Sequence, residues 1–486
     1  MIDDVAIVAS GDAQASEDAS FGTVPSSSAA TLLGCIALVA GTTVGAGVLA
    51  LPAKSLSAGF APTALLLILG WIYMATTGLL IAEVNINTLC YLDDRDAVSI
   101  PSMVSESLGE NAASSASIAF VFLHNALLCA YTLQGGSLLG KVAYAWGSAS
   151  PSGEVPLFSF GNELGDIIFA TSLGLILVGL PPIVLERVNN GMVIGVIFAF
   201  LILVGFGLMQ VQPTLLMHAQ PSAIVDALPV MPVVYVFQTV VPTLCALLEC
   251  EVERIRSAIL VGTAIPLAMF LSWTSVILGT VPFDYEGSDP LDMLRNTGDG
   301  FGNVVLVFSL LAVATSFLGF TYGLIDFYAD WFQWDNVMQQ QTPRITTEGK
   351  EEENASREFL WRKWVLLPLA VAPPLAIAIF NANNPEFFFD ALDNAGVYGI
   401  LVLFGLLPPA MAWSQRYNTT NASSVASGGM KNSVGSALGG GEKAIEDDDG
   451  FVTLVPGGKT VLCSIGCIAL LIIGLESWEK GRMLIS

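Results

Sequence analysis

Gly41-Thr-Thr-Val-Gly45-Ala-Gly47 lies at the centre of a hydrophobic stretch running from Ile36 to Ala53. That stretch approaches the length of a membrane span, about 20 apolar residues. A helix interior avoids such a composition, since each glycine costs about 1 kcal/mol against alanine. In lipid, an opened backbone leaves N–H and C=O groups unpaired unless protein, a cavity or a ligand satisfies them. A span broken by glycines is therefore the sequence mark of a ligand site at the bilayer midplane.

The rest of the chain is membrane-like. Of its 486 residues, 53% are hydrophobic and 12% charged, and the mean hydropathy is +0.68. Soluble domains carry roughly 25% charged residues. Eleven segments are long and apolar enough to span, near 30–53, 61–85, 117–139, 164–183, 191–212, 229–249, 257–280, 302–325, 364–381, 393–413 and 459–475. The sequence thus reads as an all-α, polytopic integral membrane protein embedded in the lipid bilayer. Lysine and arginine placement sets the orientation. With the N-terminus in the cytosol, every one of them except Lys54, Lys141, Arg295, Lys480 and Arg482 falls on the cytosolic side.

The net charge is −24, and the acidic residues cluster in polar pieces such as Glu351 to Glu353 and Asp447 to Asp449. No basic footprint is present, which argues against a nucleic-acid partner. The start, Met-Ile-Asp-Asp, has no basic n-region and reads as lacking a signal peptide. The seven cysteines form no CxxC pair, and His124 and His218 are too few for an ordinary histidine metal site. No cofactor or metal is expected. The glycosylation patterns at Asn354, Asn418 and Asn421 fall in expected cytosolic loops.

A second span is also interrupted. Met231-Pro-Val-Val-Tyr-Val-Phe-Gln238-Thr-Val-Val-Pro242 places polar residues and a proline where a helix should continue, and proline both removes a donor and clashes with the preceding turn. Interrupted helices at matching positions of two halves point to an inverted repeat with its site between them. The chain then divides into a disordered acidic tail (1–28), a first repeat of five spans (29–224), a second of five (225–413), a flexible cytosolic linker (414–458), and a lone eleventh span with its tail (459–486). Residues 101–112 look like a short amphipathic helix on the membrane surface.

Four segments, in this order and spacing, resemble the hydroxy/aromatic amino acid permease family and its tyrosine/tryptophan permease branch. They are Gly41-Thr-Thr-Val-Gly-Ala-Gly-Val-Leu-Ala-Leu-Pro52; Val236-Phe-Gln-Thr-Val-Val-Pro-Thr243 with Arg254 to Pro266; Ala314-Thr-Ser-Phe-Leu-Gly319 with Gly323-Leu-Ile-Asp326; and Phe389 to Gly399. The resemblance covers roughly 30–413. It implies the LeuT-type five-plus-five inverted-repeat fold and amino acid uptake, usually coupled to protons. Bacterial members commonly carry histidine in the sixth-span break, where this chain has Gln238. That form is similar to the plant and algal branch, which leaves plasma membrane and plastid envelope both open.

An amino acid needs donors for its carboxylate and acceptors for its ammonium. A broken helix offers both, N–H groups at one half and carbonyls at the other. Gly41, Thr42, Thr43, Gly45, Ala46 and Gly47 are assigned that role, against the alternative of small-residue packing. Phe237, Gln238 and Thr239 would line the facing wall, with an interhelical hydrogen bond as the alternative for Gln238. Tyr131 matches the position where this fold often offers a hydroxyl to the carboxylate.

For coupling, Glu83 is the ionisable candidate, because intramembrane carboxylates are functional hypotheses by default. A loop arginine could equally neutralise it. Ala312, Thr315 and Ser316 share one helical face and resemble the oxygen-donating face of a sodium site in this fold. A proton is thus the expected coupling ion and sodium the alternative. Asp390 and Asp393 stand at the outer mouth with Lys54, as a gate or as solvated charges. The expected function is a secondary active transporter of aromatic amino acids. The alternatives are a broader neutral or hydroxy amino acid transporter and an amino acid sensor without turnover. No enzyme motif stands in a suitable context.

Overall fold

A computed structural model describes residues 32–92, 99–148, 162–285, 287, 289–295, 300–332, 348–384, 386–417 and 452–485. The acidic N-terminal tail, most of the inner loop after residue 332 and residues 418–451 of the expected linker lie outside the described residues. Among the described residues the regular elements are helical, with no β-strand.

The first hydrophobic stretch forms two helices, α1 (Leu32–Thr43) and α2 (Gly47–Ser55), bent by 53° at the glycine motif. Then come α3 (Phe60–Leu92), α4 (Ile100–Leu108), α5 (Glu110–Ser148), α6 (Asn162–Gly179) and α7 (Pro182–Gly207). The sixth expected span is split into α8 (Met231–Val234) and α9 (Gln238–Leu247). After it stand α10 (Val252–Thr280), α11 (Pro290–Arg295), α12 (Gly300–Trp331), α13 (Glu348–Asn381), α14 (Phe387–Tyr417) and α15 (Gly458–Ile485). Among the described residues, nine helices are long and apolar enough to cross a membrane, and the bent α1–α2 pair makes a tenth. The α8–α9 segment falls short of that length because its break divides it.

Several helices outrun the apolar segments that predict them. The sequence marks 117–139, yet α5 covers 39 residues, because helix formation continues into water where hydropathy no longer signals it. The amphipathic helix expected at 101–112 is α4. Ser99 caps it by accepting from the Ser102 N–H, and Pro101 sits in its first turn. Gly109 ends it earlier than expected, at φ +90°, a left-handed backbone that glycine adopts without penalty. Ile100, Met103, Val104 and Ser107 face inward.

Small residues set the closest helix contacts. A Cβ on Gly262 of α10 would stand 2.7 Å from Val39 Cβ, so α1 lies directly against α10. α14 is the most enclosed of the long helices, and its middle, Ala395–Leu406, is π-helical. α15 is the least enclosed. Its far end is tied to α14 by Lys480 Nζ on Asn394 Oδ1 at 2.6 Å and by a Tyr398–Ser477 hydroxyl pair at 3.0 Å.

The two ends of the bundle are closed differently. On the side away from the N-terminus, Lys54 of α2 pairs with Asp393 of α14 at 2.6 Å. Arg295 of α11 holds Asp289 at 2.8 Å and Asp292 at 2.7 Å, and Lys141 of α5 joins Asp292 at 2.5 Å. Burial pushes the Asp292 carboxyl up, but the two cations outweigh it and hold the group below its ordinary range. For Asp289, burial prevails over Arg295 and raises it.

On the N-terminal side, the short segment Val452 to Val455 is docked among the helix ends. Asn87 of α3 both donates to and accepts from the Val452 backbone, at 3.1 and 3.0 Å. The Leu454 and Val455 N–H groups donate to Glu83, and Arg256 and Arg416 donate to the Leu454 and Val455 carbonyls. The end of the expected flexible linker is thus held in place. Its apolar Val-Thr-Leu-Val run after the acidic Asp447 to Asp449 is the sequence signal for this.

Candidate functional site

The site is built around the bend between α1 and α2. The last helical bond of α1 runs from the Val44 N–H to the Ala40 carbonyl at 3.1 Å. Beyond it, the Ala46 N–H leaves the helix and donates to Ser316 Oγ of α12 at 2.9 Å. Among the described residues, the N–H groups of Gly45 and Gly47 and the carbonyls of Gly41, Thr42 and Thr43 have no backbone partner. Donors from the start of α2 therefore meet acceptors from the end of α1 within one turn of chain, with the helix-end dipoles reinforcing each sign.

Two of the glycines sit at close approaches. A Cβ on Gly47 would lie 3.1 to 3.3 Å from Val233 of α8, its backbone carbonyl included. A Cβ on Gly45 would lie 3.0 Å from Ser316 Oγ. The bend of the first span, the half-helix α8 and the middle of α12 thus converge. Gly41 meets nothing within 4 Å and is exposed, as is Thr42. The Thr42 and Thr43 hydroxyls donate to the Leu38 and Val39 carbonyls at 2.7 and 2.8 Å. Their oxygens keep lone pairs to accept with.

The second break is arranged otherwise. Gln238 accepts from the Phe237 N–H at 2.9 Å through Oε1, and donates through Nε2 to the Met74 carbonyl and Thr77 hydroxyl of α3, both at 3.2 Å. The interhelical bond weighed as the alternative for Gln238 is the one formed. Phe237 is fully buried, its ring lying on Gly78 of α3. Both side chains are engaged with α3. Thr239 is exposed. The structure thus brings Gly45 and Ala46 to Ser316 and Gly47 to Val233 of α8, while Gly41, Thr42 and Thr239 are exposed.

Tyr131 of α5 is buried, its ring 5.8 Å from that of Phe320, one turn of α12 beyond Ser316. Ala312 is buried, and the Thr315 hydroxyl is bonded to its own helix at the Leu311 and Ala312 carbonyls, both at 3.0 Å. Of these three, Ser316 is the one bonded to the bend. Glu83 belongs to the N-terminal end of the bundle. Its two oxygens accept from Arg416 Nε at 2.7 Å and Nη2 at 2.6 Å, and from the Leu454 N–H at 2.8 Å. The arginine that neutralises it comes from α14.

Sequence reasoning passed over two buried ionisable groups. Asp166 of α6 is buried in contact with Gly136 of α5, its Oδ2 without a hydrogen bond. A lone acid within the fourth apolar stretch was the available signal. His124 of α5 is also buried, among Phe120, Phe320 and Gly323. Its position seven residues before Tyr131 puts both on one helical face.

A model of the tryptophan/tyrosine permease family matches residues 28–435. A tyrosine-specific transport system of Haemophilus influenzae is 30% identical over 397 residues, covering 79% of this chain and 87% of the relative. A tryptophan-specific transport protein of the same organism is 26% identical over 407 residues, covering 78% and 94%. In architecture the chain is similar to MhsT, solved in complex with L-phenylalanine, with a TM-score of 0.50, 14% identity and coverage of 92% and 98%. That likeness shows the LeuT-type fold.

Proposed function

The chain belongs to the tryptophan/tyrosine permease family, whose named relatives are transport proteins rather than enzymes, and from that premise we propose that it is a secondary active transporter of aromatic amino acids. The observation that carries the proposal is the α1–α2 bend. Among the described residues it presents N–H groups of Gly45 and Gly47 and carbonyls of Gly41, Thr42 and Thr43 that have no backbone partner. An α-carboxylate takes the former and an α-ammonium the latter. The aromatic side chain is inferred from the tyrosine- and tryptophan-specific relatives.

The chain crosses the membrane eleven times in this reading, with the N-terminus in the cytosol and α8–α9 counted as one crossing. The first two groups of five spans form the repeats, 29–224 and 225–413. Alternating access moves one bundle against the other around the bend. In this reading the Lys54–Asp393 pair is a gate on the outer side.

Coupling is to protons in the first reading. A sodium ion is the second, favoured by the bond that ties Ser316, on the Ala312–Thr315–Ser316 face, to the bend at Ala46. Uptake of labelled tyrosine and tryptophan into sodium-free proteoliposomes, with and without an inward proton gradient, tests both. Accumulation driven by the gradient and abolished by an uncoupler is expected. Accumulation only on adding sodium moves the coupling to Thr315 and Ser316. No aromatic amino acid uptake under either ion, by folded protein, overturns the proposal.

A further inference from the structure

We propose that His124 is the side-chain specificity residue: its Nε2 accepts a hydrogen bond from the phenol O–H or indole N–H of the transported amino acid. The inference rests on the aromatic amino acid reading above and deepens it.

His124 Nδ1 lies 2.8 Å from the Phe120 carbonyl. A carbonyl oxygen only accepts, so Nδ1 carries the hydrogen of that bond. In a neutral ring this leaves Nε2 as a lone-pair acceptor. Among the described residues no group donates to it. The residue is only 3% exposed, so a ligand donor that reaches Nε2 meets little competition from water.

The surroundings are aromatic. The Phe120 ring lies 3.9 Å from the imidazole and the Phe320 ring 5.3 Å away, edge-on. Gly323 lies beside Nε2, where an added Cβ would come into van der Waals contact at 3.4 Å. One hydrogen-bond acceptor between aromatic walls suits a flat ring that carries one donor.

The position fits as well. Ser316, which holds the bend at Ala46, and Phe320 and Gly323, which flank His124, lie on one face of α12. Gly319 beside them meets nothing within 4 Å. From Ser316 to Gly323 the helix rises about 10 Å. An amino acid held by its charged groups at the bend would lay its ring along this row, with its polar ring atom toward His124. Tyr131 flanks the row from α5.

The discriminating experiment is uptake of labelled tyrosine, tryptophan and phenylalanine by the full-length protein in proteoliposomes. Wild type is compared with His124→Leu, His124→Gln and Gly323→Ala. Wild type should prefer tyrosine and tryptophan to phenylalanine. Removing the acceptor in His124→Leu should raise KM for tyrosine and tryptophan about tenfold or more and leave phenylalanine nearly unchanged, as expected for a site built to bond a donor. The amide oxygen of His124→Gln should restore part of the preference. Gly323→Ala should weaken it by placing a methyl in contact with Nε2, on one side of the position a ligand donor would take, and keeps the test decisive should His124→Leu fail to fold. Equal losses for all three substrates, or an unchanged tyrosine-to-phenylalanine ratio, overturn the inference while the aromatic transporter reading stands. A wild type that moves none of the three overturns that reading instead.

Discussion

The two interrupted spans use their breaks in opposite ways. In the first, glycines remove side chains, and the freed backbone groups stay available apart from the Ala46 N–H, which Ser316 of a distant helix takes. In the second, a side chain folds back into the break. Gln238 takes the Phe237 N–H and anchors itself to α3 through the Met74 carbonyl and Thr77 hydroxyl. An open backbone in a membrane must be satisfied by something. The α8–α9 break is satisfied in part by its own residue and becomes structure. The α1–α2 bend keeps unpaired backbone groups among the described residues, which the proposed function gives to the substrate.

Substitutions separate the two. The largest effect is expected for Gly47→Leu, because a Cβ there already lies 3.2 Å from the Val233 carbonyl and the rest of the leucine must push α2 and α8 apart. Misplacing a bound group by about 1 Å costs about a hundredfold in rate. Uptake should fall at least that far, while the protein still inserts and elutes as a single species.

Gln238→Leu should act on stability first. It leaves the Phe237 N–H and the Met74 carbonyl without their amide partner, at about 1–3 kcal/mol for a buried unsatisfied group, measurable as a lowered unfolding midpoint in detergent. Lost uptake with unchanged stability would make Gln238 a substrate contact and erase the contrast between the breaks.

Ser316→Ala removes one neutral hydrogen bond to the bend, about 1 kcal/mol or about fivefold in apparent affinity. Gly41→Ala is the smallest change. Its Cβ would meet nothing within 4 Å, and alanine favours the end of α1, so uptake should change by no more than about twofold. A large loss there would mean that the substrate occupies the space beside Gly41.

The hydropathy of eleven segments, the two breaks and the ordered motifs were legible in the sequence because each is a local property. Burial in lipid needs a run of apolar residues, and an opened helix needs glycine or proline at that place. The α4 cap and stop were equally local, Ser99 and Pro101 at one end and Gly109 at the other.

Partners were not legible, since they depend on helix rotation and register, to which distant segments contribute. Glu83 stood in the sequence as an intramembrane acid, but its arginine lies 333 residues away, and part of its hydrogen bonding comes from a segment beyond residue 450. His124 looked like one of two isolated histidines, until packing set Phe120, Phe320 and Gly323 around it. Gln238 could have faced either way. By itself the sequence determined where the backbone must open, because that cost is borne within one turn of chain. Only the tertiary structure decided which opening was filled from within and which kept its backbone groups unpaired, because the groups that anchor or flank each one come from other helices.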